Sequence, residues 1–188
     1  MTATRPLTEL DPRFSTPGAT PAAWAEARDA LTAAEVFWLS TVRPDGRPHV
    51  TPLIAVLLDD VLLHDVLLHD ALVFTTGARE RKARNLAADP RVVLTTGTNA
   101  LGHGLDIVVE GTARRVREGA FLERVARAYR DKYGEDWAFT PRDGELHHEE
   151  GGAALAYAVA PEVAFGFRKG AFSQTRWRFS TEAGDGTA

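Results

Sequence analysis

Residues 36–58 read VFWLSTVRPDGRPHVTPLIAVLL, two β-branched and aromatic segments on either side of a short turn. Asp45 and Gly46 form the dipeptide that favours a two-residue hairpin turn, so the stretch predicts two antiparallel strands. Pro52 lacks an N–H donor, which indicates an edge, a bulge or an opening of the ladder in the second strand. This stretch therefore begins an antiparallel sheet.

The chain around this hairpin combines many short apolar segments with only three helical ones. Strand-like runs are ALVFTTG, RVVLTTGT, LDIVVEGTARRV, AYAVAP, VAFGFR and TRWRFS. Helical patterns cover residues 21–35, ARERKARNLAADP and EGAFLERVARAYRDKYG. Because strands and helices do not alternate, we expect a mainly β (α+β) fold, a closed or nearly closed antiparallel barrel with peripheral helices. We expect residues 1–19 to form a flexible arm, 20–180 the single domain and 181–188 a disordered tail.

The composition sets limits on the class of protein. The chain has 188 residues, of which 44% are hydrophobic, and a formal net charge of −4. One sizeable core is expected, and no general attraction to nucleic acid or to anionic membranes. The absence of cysteine removes disulfides and thiolate chemistry and is typical of a reducing cytosol. With no signal-like segment and no run of the ~20 apolar residues that a membrane helix needs, we expect a soluble cytoplasmic protein.

Residues 56–70, VLLDDVLLHDVLLHD, repeat one five-residue unit three times. A period of five gives no constant face on a strand or on a helix. We interpret the repeat as a duplication that moves a hairpin tip to His64 and Asp65, and we expect its leucines to pack on a partner subunit. The alternative is a metal site of His64, Asp65, His69 and Asp70, but this spacing does not converge on a strand, so we predict no metal.

The start of the basic helix indicates a ligand site. FTTGARERKARNL, residues 74–86, passes from a strand through a glycine turn into a helix. Four cations lie in it, Arg79, Arg81, Lys82 and Arg84. Backbone N–H groups at a helix N-terminus, with Arg, Lys and the hydroxyls of Thr75 and Thr76, make a phosphate site. A solvated basic face is the alternative explanation.

Four blocks of the sequence, in this order, resemble the pyridoxamine 5'-phosphate oxidase-like split β-barrel proteins, which include flavin- and deazaflavin-dependent reductases. The blocks are WLSTVRPDGRPHVTPL, VFTTGARERKARNLAADPRVVL, DIVVEGTARRV and VAPEVAFGFRKGAFSQTRWRF. The resemblance covers about residues 36–179 and rests most on DGRPHVTP and RKARNL. It implies the FMN-binding split barrel, an antiparallel six-stranded split β-barrel that forms a homodimer with cofactor sites at the interface.

The same resemblance assigns candidate cofactor contacts. Phosphate contacts correspond to Arg81 and Lys82, with Asn85 beside them, and the strand end above the phosphate to Thr75 and Thr76. The strand that lines the ring system corresponds to His49, Val50, Thr51 and Pro52. The C-terminal segment that reaches the cofactor cleft, that of the partner subunit, corresponds to Phe167, Trp177 and Arg178.

The resemblance implies an enzyme of the reductase branch, because VTPL and TRWRF replace the motifs of the oxidases themselves. Such an oxidoreductase transfers hydride between bound FMN, or the deazaflavin coenzyme F-420, and a small organic substrate. The cofactor carries this chemistry, so no triad or dyad is required and we name no catalytic residue. His49 is either a polarising group or a structural residue. The alternative function is a flavin or haem binding carrier or sensor without turnover, with His103 as the candidate haem ligand.

Two other groups have structural explanations. LHHEEGG, residues 146–152, contains possible metal ligands, but adjacent residues point in different directions, so we interpret it as a solvated loop. Tryptophans are expected in the core or at the dimer contact, and they are Trp24, Trp38, Trp137 and Trp177.

Overall fold

A ring of six antiparallel strands is the central feature of the chain. The structure is a computed structural model that describes residues 6–63 and 66–180, so the tail expected at 181–188 lies outside the described residues. The strands are β1 (Leu7–Leu10), β2 (Phe37–Val42), β3 (Pro48–Leu53), β4 (Ala55–Leu58), β5 (Val61–Leu63), β6 (Val66–Leu68), β7 (Ala71–Thr76), β8 (Arg91–Thr96), β9 (Leu105–Val116), β10 (Phe139–Arg142), β11 (Glu145–His148), β12 (Gly152–Arg168) and β13 (Ser173–Arg178). The helices are α1 (Trp24–Ala33), α2 (Arg81–Ala88) and α3 (Gly119–Tyr133).

The ring closes because residues 48–58 pair with two neighbours in turn. β3 pairs with β2, the ladder opens at Ile54, and β4 pairs with β7. β7 then pairs with β12, β12 with β9, β9 with β8 and β8 with β2, all antiparallel. The opening predicted near Pro52 therefore lies at Ile54, and the predicted six-stranded split barrel is confirmed.

The tip of the first hairpin differs from the prediction. Gly46 N–H donates to the Arg43 carbonyl at 2.8 Å and Arg43 N–H donates to the Arg47 carbonyl at 2.9 Å, so the loop holds three residues instead of two. Gly46 has φ +81°, whereas Asp45 is not among the described residues with positive φ. A two-residue loop of Asp45 and Gly46 would require Pro44 to donate an N–H across the hairpin, which proline cannot do, whereas its fixed φ suits the first central position of a type I turn. Proline therefore selects a turn that ends in a left-handed glycine.

β12 is the strand at which the barrel splits. It pairs with β9 over residues 156–168, with β7 over residues 155–159 and with β13 over residues 163–168. The β9 register shifts between Pro161 and Val163, where proline has no N–H to offer the ladder. One buried cluster fills the barrel around Phe37, and a second lies between the barrel and α3.

The five-residue repeat extends the β4–β7 hairpin as a second pair of strands, β5 and β6. The tip predicted at His64 and Asp65 lies outside the described residues. Asp60 and Asp70 adopt left-handed conformations, with φ +47° and +51°, at equivalent places in the two arms. Aspartate tolerates this conformation better than most residues. Each of these left-handed residues interrupts its strand and compensates for the odd five-residue period of the repeat. Apolar residues that follow it therefore return to the buried face.

One face of the extended hairpin packs on its own chain. Val61, Leu63 and Leu68 are buried in the cluster beneath α3. The opposite face remains exposed at Leu62 and Leu67, which pair across the two strands, and Val66, opposite Leu63, is also exposed. We expected a partner subunit to cover the leucines of the repeat. The buried leucines are covered by α3 of the same chain, and cover of the exposed ones by a partner subunit stays a prediction.

Polar residues of the repeat bind neighbouring groups. Arg28, on α1, lies 2.8 Å from Asp59 and 2.6 Å from Asp70. His69 Nδ1 lies 2.6 Å from Asp60 Oδ1. Asp59, Asp60 and His69 have ligand atoms within 4.8 Å of one another, but these ion pairs already explain their positions. The contacts fix the hairpin to α1, and we assign no metal to them.

Residues 7–10 join the sheet as β1, within the segment 1–19 that we expected to form a flexible arm. β1 pairs with β13 along its whole length. The helix predicted from Pro21 begins at Trp24, because Ala22 N–H donates a buried hydrogen bond to Thr175 Oγ1 at 2.9 Å and stays extended. Within the described residues, no helix is long and apolar enough to cross a bilayer.

The last turn of α3 binds the backbone where β3 becomes β4. Tyr129 Oη donates to the Ile54 carbonyl at 3.1 Å. Tyr133 Oη and Lys132 Nζ donate to the Ala55 carbonyl at 2.8 and 2.9 Å. The helix therefore satisfies carbonyls that leave the ladder at this corner of the barrel.

Lys132 is expected to make stability depend on pH. Burial lowers the pKa of its ammonium group from 10.5 to about 8, although the negative charge of Glu35 acts to raise this pKa. The folded chain then binds fewer protons than the unfolded chain, so the free energy of unfolding rises with pH between these two values. We expect Lys132→Met to flatten that rise in urea denaturation between about pH 8 and pH 9.5, below the range in which tyrosines titrate. Equal slopes for both proteins would contradict this assignment.

Candidate functional site

The turn between β7 and α2 gathers anion-binding groups at one end of the barrel. Glu80 N–H donates to the Gly77 carbonyl at 3.0 Å, which closes the turn, and α2 begins at Arg81. The first N–H groups of a helix have no partner within the helix, and the helix dipole favours an anion there. Lys82 is buried and Arg81 is exposed. This end of the barrel thus combines a glycine turn, a helix N-terminus and two cations.

Glu80 shows that these donors bind an anion. Its Oε1 accepts a hydrogen bond from Gly77 N–H at 2.7 Å, and its Oε2 accepts one from Lys82 Nζ. Burial opposes ionisation of the carboxyl, but the hydrogen bonds from Lys82 and Gly77 outweigh it and hold the pKa of Glu80 below its usual value. A carboxylate therefore lies against Lys82, which the resemblance assigns to a phosphate, and against the glycine turn.

Arg43, from the β2–β3 hairpin, adds to the positive charge of this region, and His49 lies within reach of that charge. Burial, and then the charges of Arg43, Arg81 and Lys82, lower the pKa of His49 below 6.5. The imidazole is therefore neutral at pH 7. Within the described part of the chain, the buried Nε of Arg43 has no hydrogen-bond partner. The residues present fit an anionic group at this end of the barrel.

Asn85 connects α2 to the barrel. It is 1% exposed, and its Nδ2 donates to Thr41 Oγ1 at 2.9 Å. Thr41 Oγ1 in turn lies 3.4 Å from His49 Nδ1. The sequence places Asn85 beside the phosphate; its burial indicates that it positions α2 against β2.

A cavity of about 750 Å³ opens beside the cationic region. Barrel and turn contribute Val36, Pro52, Leu53, Ile54, Thr75, Thr76, Gly77, Glu80 and Lys82. The connection between α3 and β12, which we call the cover, contributes Asp136, Trp137, Phe139, His148 and residues 150–154. The volume lies in the range of small-molecule and cofactor sites. An apolar wall thus adjoins an anion-binding end.

The cover contains a hairpin where the sequence predicts a solvated loop. β10 pairs with β11 and β11 with β12, so LHHEEGG is a strand and a turn. His148 Nδ1 accepts hydrogen bonds from the N–H groups of Glu150 at 3.2 Å and Gly151 at 3.0 Å. This leaves Nε2 to donate to the Asp136 carbonyl at 2.8 Å. His148 is therefore held in one tautomer and forms part of the cavity wall.

Six of the predicted cofactor contacts meet at this site. Pro52, Thr75, Thr76 and Lys82 line the cavity, while His49 and Arg81 belong to the cationic region. Sequence reasoning missed the cover, including Trp137, which is 43% exposed in the cavity wall. The only sequence signal for it is an aromatic residue next to charged ones, which does not show its neighbours in space.

Other predicted contacts lie elsewhere in the chain. Val50 is exposed and Thr51 half-buried on β3, and Phe167 is partly exposed on β12. Arg178 pairs with Glu9 at 2.9 Å. Trp177, predicted at the cofactor cleft, is 0% exposed, and its Nε1 donates to the buried Ala22 carbonyl at 3.2 Å. We therefore assign Trp177 to the core.

Barrel and cavity together define a split β-barrel protein whose cavity has an apolar wall and a cationic end. The sequence profile of pyridoxamine 5'-phosphate oxidase matches residues 23–161. The chain belongs to this family, as the four sequence blocks predict. The match includes the barrel strands up to the first part of β12, the turn between β7 and α2, and the cover. No curated protein matches the chain.

Solved structures with the same fold bind different cofactors. A heme binding protein from Mycobacterium smegmatis superposes with TM-score 0.62 at 17% identity, over 84% of this chain and 58% of that one. A FAD-binding protein from Mesorhizobium loti superposes with TM-score 0.53 at 18% identity, over 93% of this chain and 99% of that one. The heme storage protein HutZ from Vibrio cholerae superposes with TM-score 0.55 at 18% identity, over 73% of this chain and 89% of that one. Likeness at these identities shows the fold alone.

Proposed function

We propose that the protein is a cytoplasmic oxidoreductase that binds FMN, with coenzyme F-420 as the alternative, and transfers hydride between this cofactor and a small organic substrate. One observation supports it above the others: the anion-binding turn lies at the end of a cavity with an apolar wall. A molecule with a phosphate at one end and a flat ring system at the other suits such a site, because each part meets groups of matching chemistry.

The chain itself binds the cofactor, orients it and excludes water. Lys82, Arg81 and the N–H group of Gly77 hold the phosphate through charge-assisted hydrogen bonds, and the barrel strands form the apolar wall. Trp137 and the cover limit access of water to the cavity. A bound flavin or deazaflavin supplies the hydride chemistry. His49, neutral because burial and nearby cations lower its pKa, offers one donor or acceptor near the phosphate end.

Paired titrations of the protein with FMN and with coenzyme F-420, followed by fluorescence, test the proposal. We expect tight binding of one of them, followed by turnover with NADPH or reduced deazaflavin and a quinone or nitro acceptor. Binding of neither would overturn the proposed function. Binding without turnover of any of these acceptors would favour a carrier or sensor.

The second candidate is a flavin or haem carrier without turnover, which the fold shared with heme binding proteins favours. A haem held by the chain needs an axial ligand. His103 is exposed between β8 and β9 and does not line the cavity. His148 lines it, but both of its ring nitrogens have hydrogen-bond partners. These two histidines therefore fit haem less well than the turn fits a phosphate.

A homodimer with cofactor sites at the interface is part of the proposal, and the outer face of the sheet supports it. Trp38 is 51% exposed and Val50 54% exposed on adjacent strands. Cross-strand neighbours of Trp38 are Pro52 and Thr95, so the apolar face continues across β3, β2 and β8. Val36 and Pro52 lie next to this face and also line the cavity. A second subunit on this face would complete the cavity wall.

Trp38→Glu is expected to shift the protein from dimer to monomer, because a buried unpaired charge at an interface is strongly unfavourable. Size-exclusion chromatography with light scattering measures the mass directly. Leu101→Glu is the matched control, since Leu101 is 85% exposed in the β8–β9 connection. A dimeric Trp38→Glu protein would place the interface on another surface.

A further inference from the structure

The carboxylate of Glu80 lies where the proposed function requires the cofactor phosphate. We propose that Glu80 is an internal competitor for this phosphate and sets the affinity of the site. The inference rests on the proposed function and adds a residue that limits cofactor binding from within the chain. A bound phosphate needs the same two donors, Gly77 N–H and Lys82 Nζ, that Glu80 now engages.

The Gly77 N–H group cannot donate fully to the Glu80 carboxylate and to a phosphate at the same time. A Cβ atom placed on Gly77 would lie 3.2 Å from Glu80 Oε1, so the carboxylate rests directly on the turn. Two anions at one helix N-terminus would also repel each other. Cofactor binding therefore requires the Glu80 side chain to move away.

Glu80 is free to move, whereas Lys82 is not. The side chain of Glu80 is 51% exposed and that of Lys82 is 11% exposed. Rotation of Glu80 into solvent restores its hydration, so the exchange costs mainly its hydrogen bonds with Gly77 and Lys82. The buried lysine stays in place and pairs with whichever anion is present. Glu80 keeps Lys82 paired while no phosphate is bound and must be displaced when one binds.

Glu80 can be replaced without loss of a helix-capping hydrogen bond, because it is the N-cap residue of α2 and its side chain makes no such bond. Serine is a preferred N-cap residue, so Glu80→Ser preserves the start of the helix. Glu80→Gln keeps the size and one acceptor but removes the charge. Glu123→Gln, on the exposed face of α3, is the matched control for loss of one negative charge.

We expect Glu80→Ser to bind FMN about tenfold more tightly than the wild type, which corresponds to removal of one competing charge-assisted interaction. Glu80→Gln should lie between the two, and Glu123→Gln should match the wild type. As a second readout, inorganic phosphate should shift the NMR signal of the Gly77 amide at lower concentration in Glu80→Ser than in the wild type.

The outcomes separate this inference from the proposed function. If wild type and Glu80→Ser bind FMN equally, or Glu80→Ser binds more weakly, Glu80 does not compete and the inference is wrong while the cofactor site stands. If Glu80→Ser binds FMN and the wild type does not, the inference is confirmed in its strongest form. If neither binds FMN, and inorganic phosphate leaves the Gly77 amide unmoved in both, both proposals are overturned.

Discussion

Arg81→Ala combined with Lys82→Ala is expected to weaken FMN binding by about 100- to 10,000-fold. Each charge-assisted contact to a phosphate contributes ~1.5–3 kcal/mol, and the double variant removes two of them. Lys82 matters more than Arg81, because its side chain is only 11% exposed and its charge is poorly screened by water. Fluorescence titration with FMN measures the loss.

A matched variant separates phosphate binding from general charge. Arg79→Ala with Arg84→Ala removes two cations from the same stretch, and both residues are exposed. We expect it to change FMN affinity by less than about threefold, since contacts through water at the surface contribute little. Thermal unfolding of all variants checks that α2 remains folded. Unchanged affinity in Arg81→Ala/Lys82→Ala would refute the assigned phosphate site.

Local patterns in the sequence predicted most of the barrel. The β-branched segments form strands, as predicted, and the residues at which the two predicted helical segments end, Pro90 and Gly134, lie just beyond α2 and α3. Predictions failed where one residue overrode a local rule. Pro44 changed the hairpin turn, and left-handed Asp60 and Asp70 corrected the odd period of the repeat, which no periodicity argument includes.

The candidate site was predictable from local composition only where it is contiguous in the chain, whereas His49 and Pro52 were predicted from the family resemblance. Gly77, Arg81 and Lys82 lie within six residues, so the phosphate end could be identified from its composition. The cover comes from the α3–β12 connection and reaches the cavity because β12 pairs with β7. That pairing joins segments about eighty residues apart, which a single sequence without fold information does not indicate.

The burial of Trp177 could have been predicted from the sequence. Along β13, Ser173, Thr175 and Trp177 are buried, while Arg176 and Arg178 between and after them are exposed. This is the alternation of a half-buried strand. A family motif suggested the cofactor cleft, but the period of two places Trp177 on the same inner face as its buried neighbours.

Trp177→Ala is expected to destabilise the fold by ~3–5 kcal/mol, the range for loss of a fully buried aromatic side chain. Its ring meets Trp24 edge to face with centroids 5.3 Å apart, and its Nε1 hydrogen bond to Ala22 would also be lost. Trp177→Phe should recover part of the stability and keep FMN affinity unchanged. Urea denaturation and FMN titration measure the two effects, and weaker FMN binding by a folded Trp177→Phe protein would restore Trp177 to the cofactor site.

Gly166 provides an independent test of how Trp177 packs. A Cβ atom at Gly166 would lie 2.4 Å from Cη2 and 2.8 Å from Cζ3 of the Trp177 ring. Gly166→Ala should therefore destabilise the wild type by ~1–3 kcal/mol through overpacking. In the Trp177→Ala background the same methyl group enters vacated space, with Leu105 Cδ1 still at 3.3 Å, so the substitution should be neutral or stabilising. Additive effects in this double-mutant cycle would show that the two residues do not share a contact.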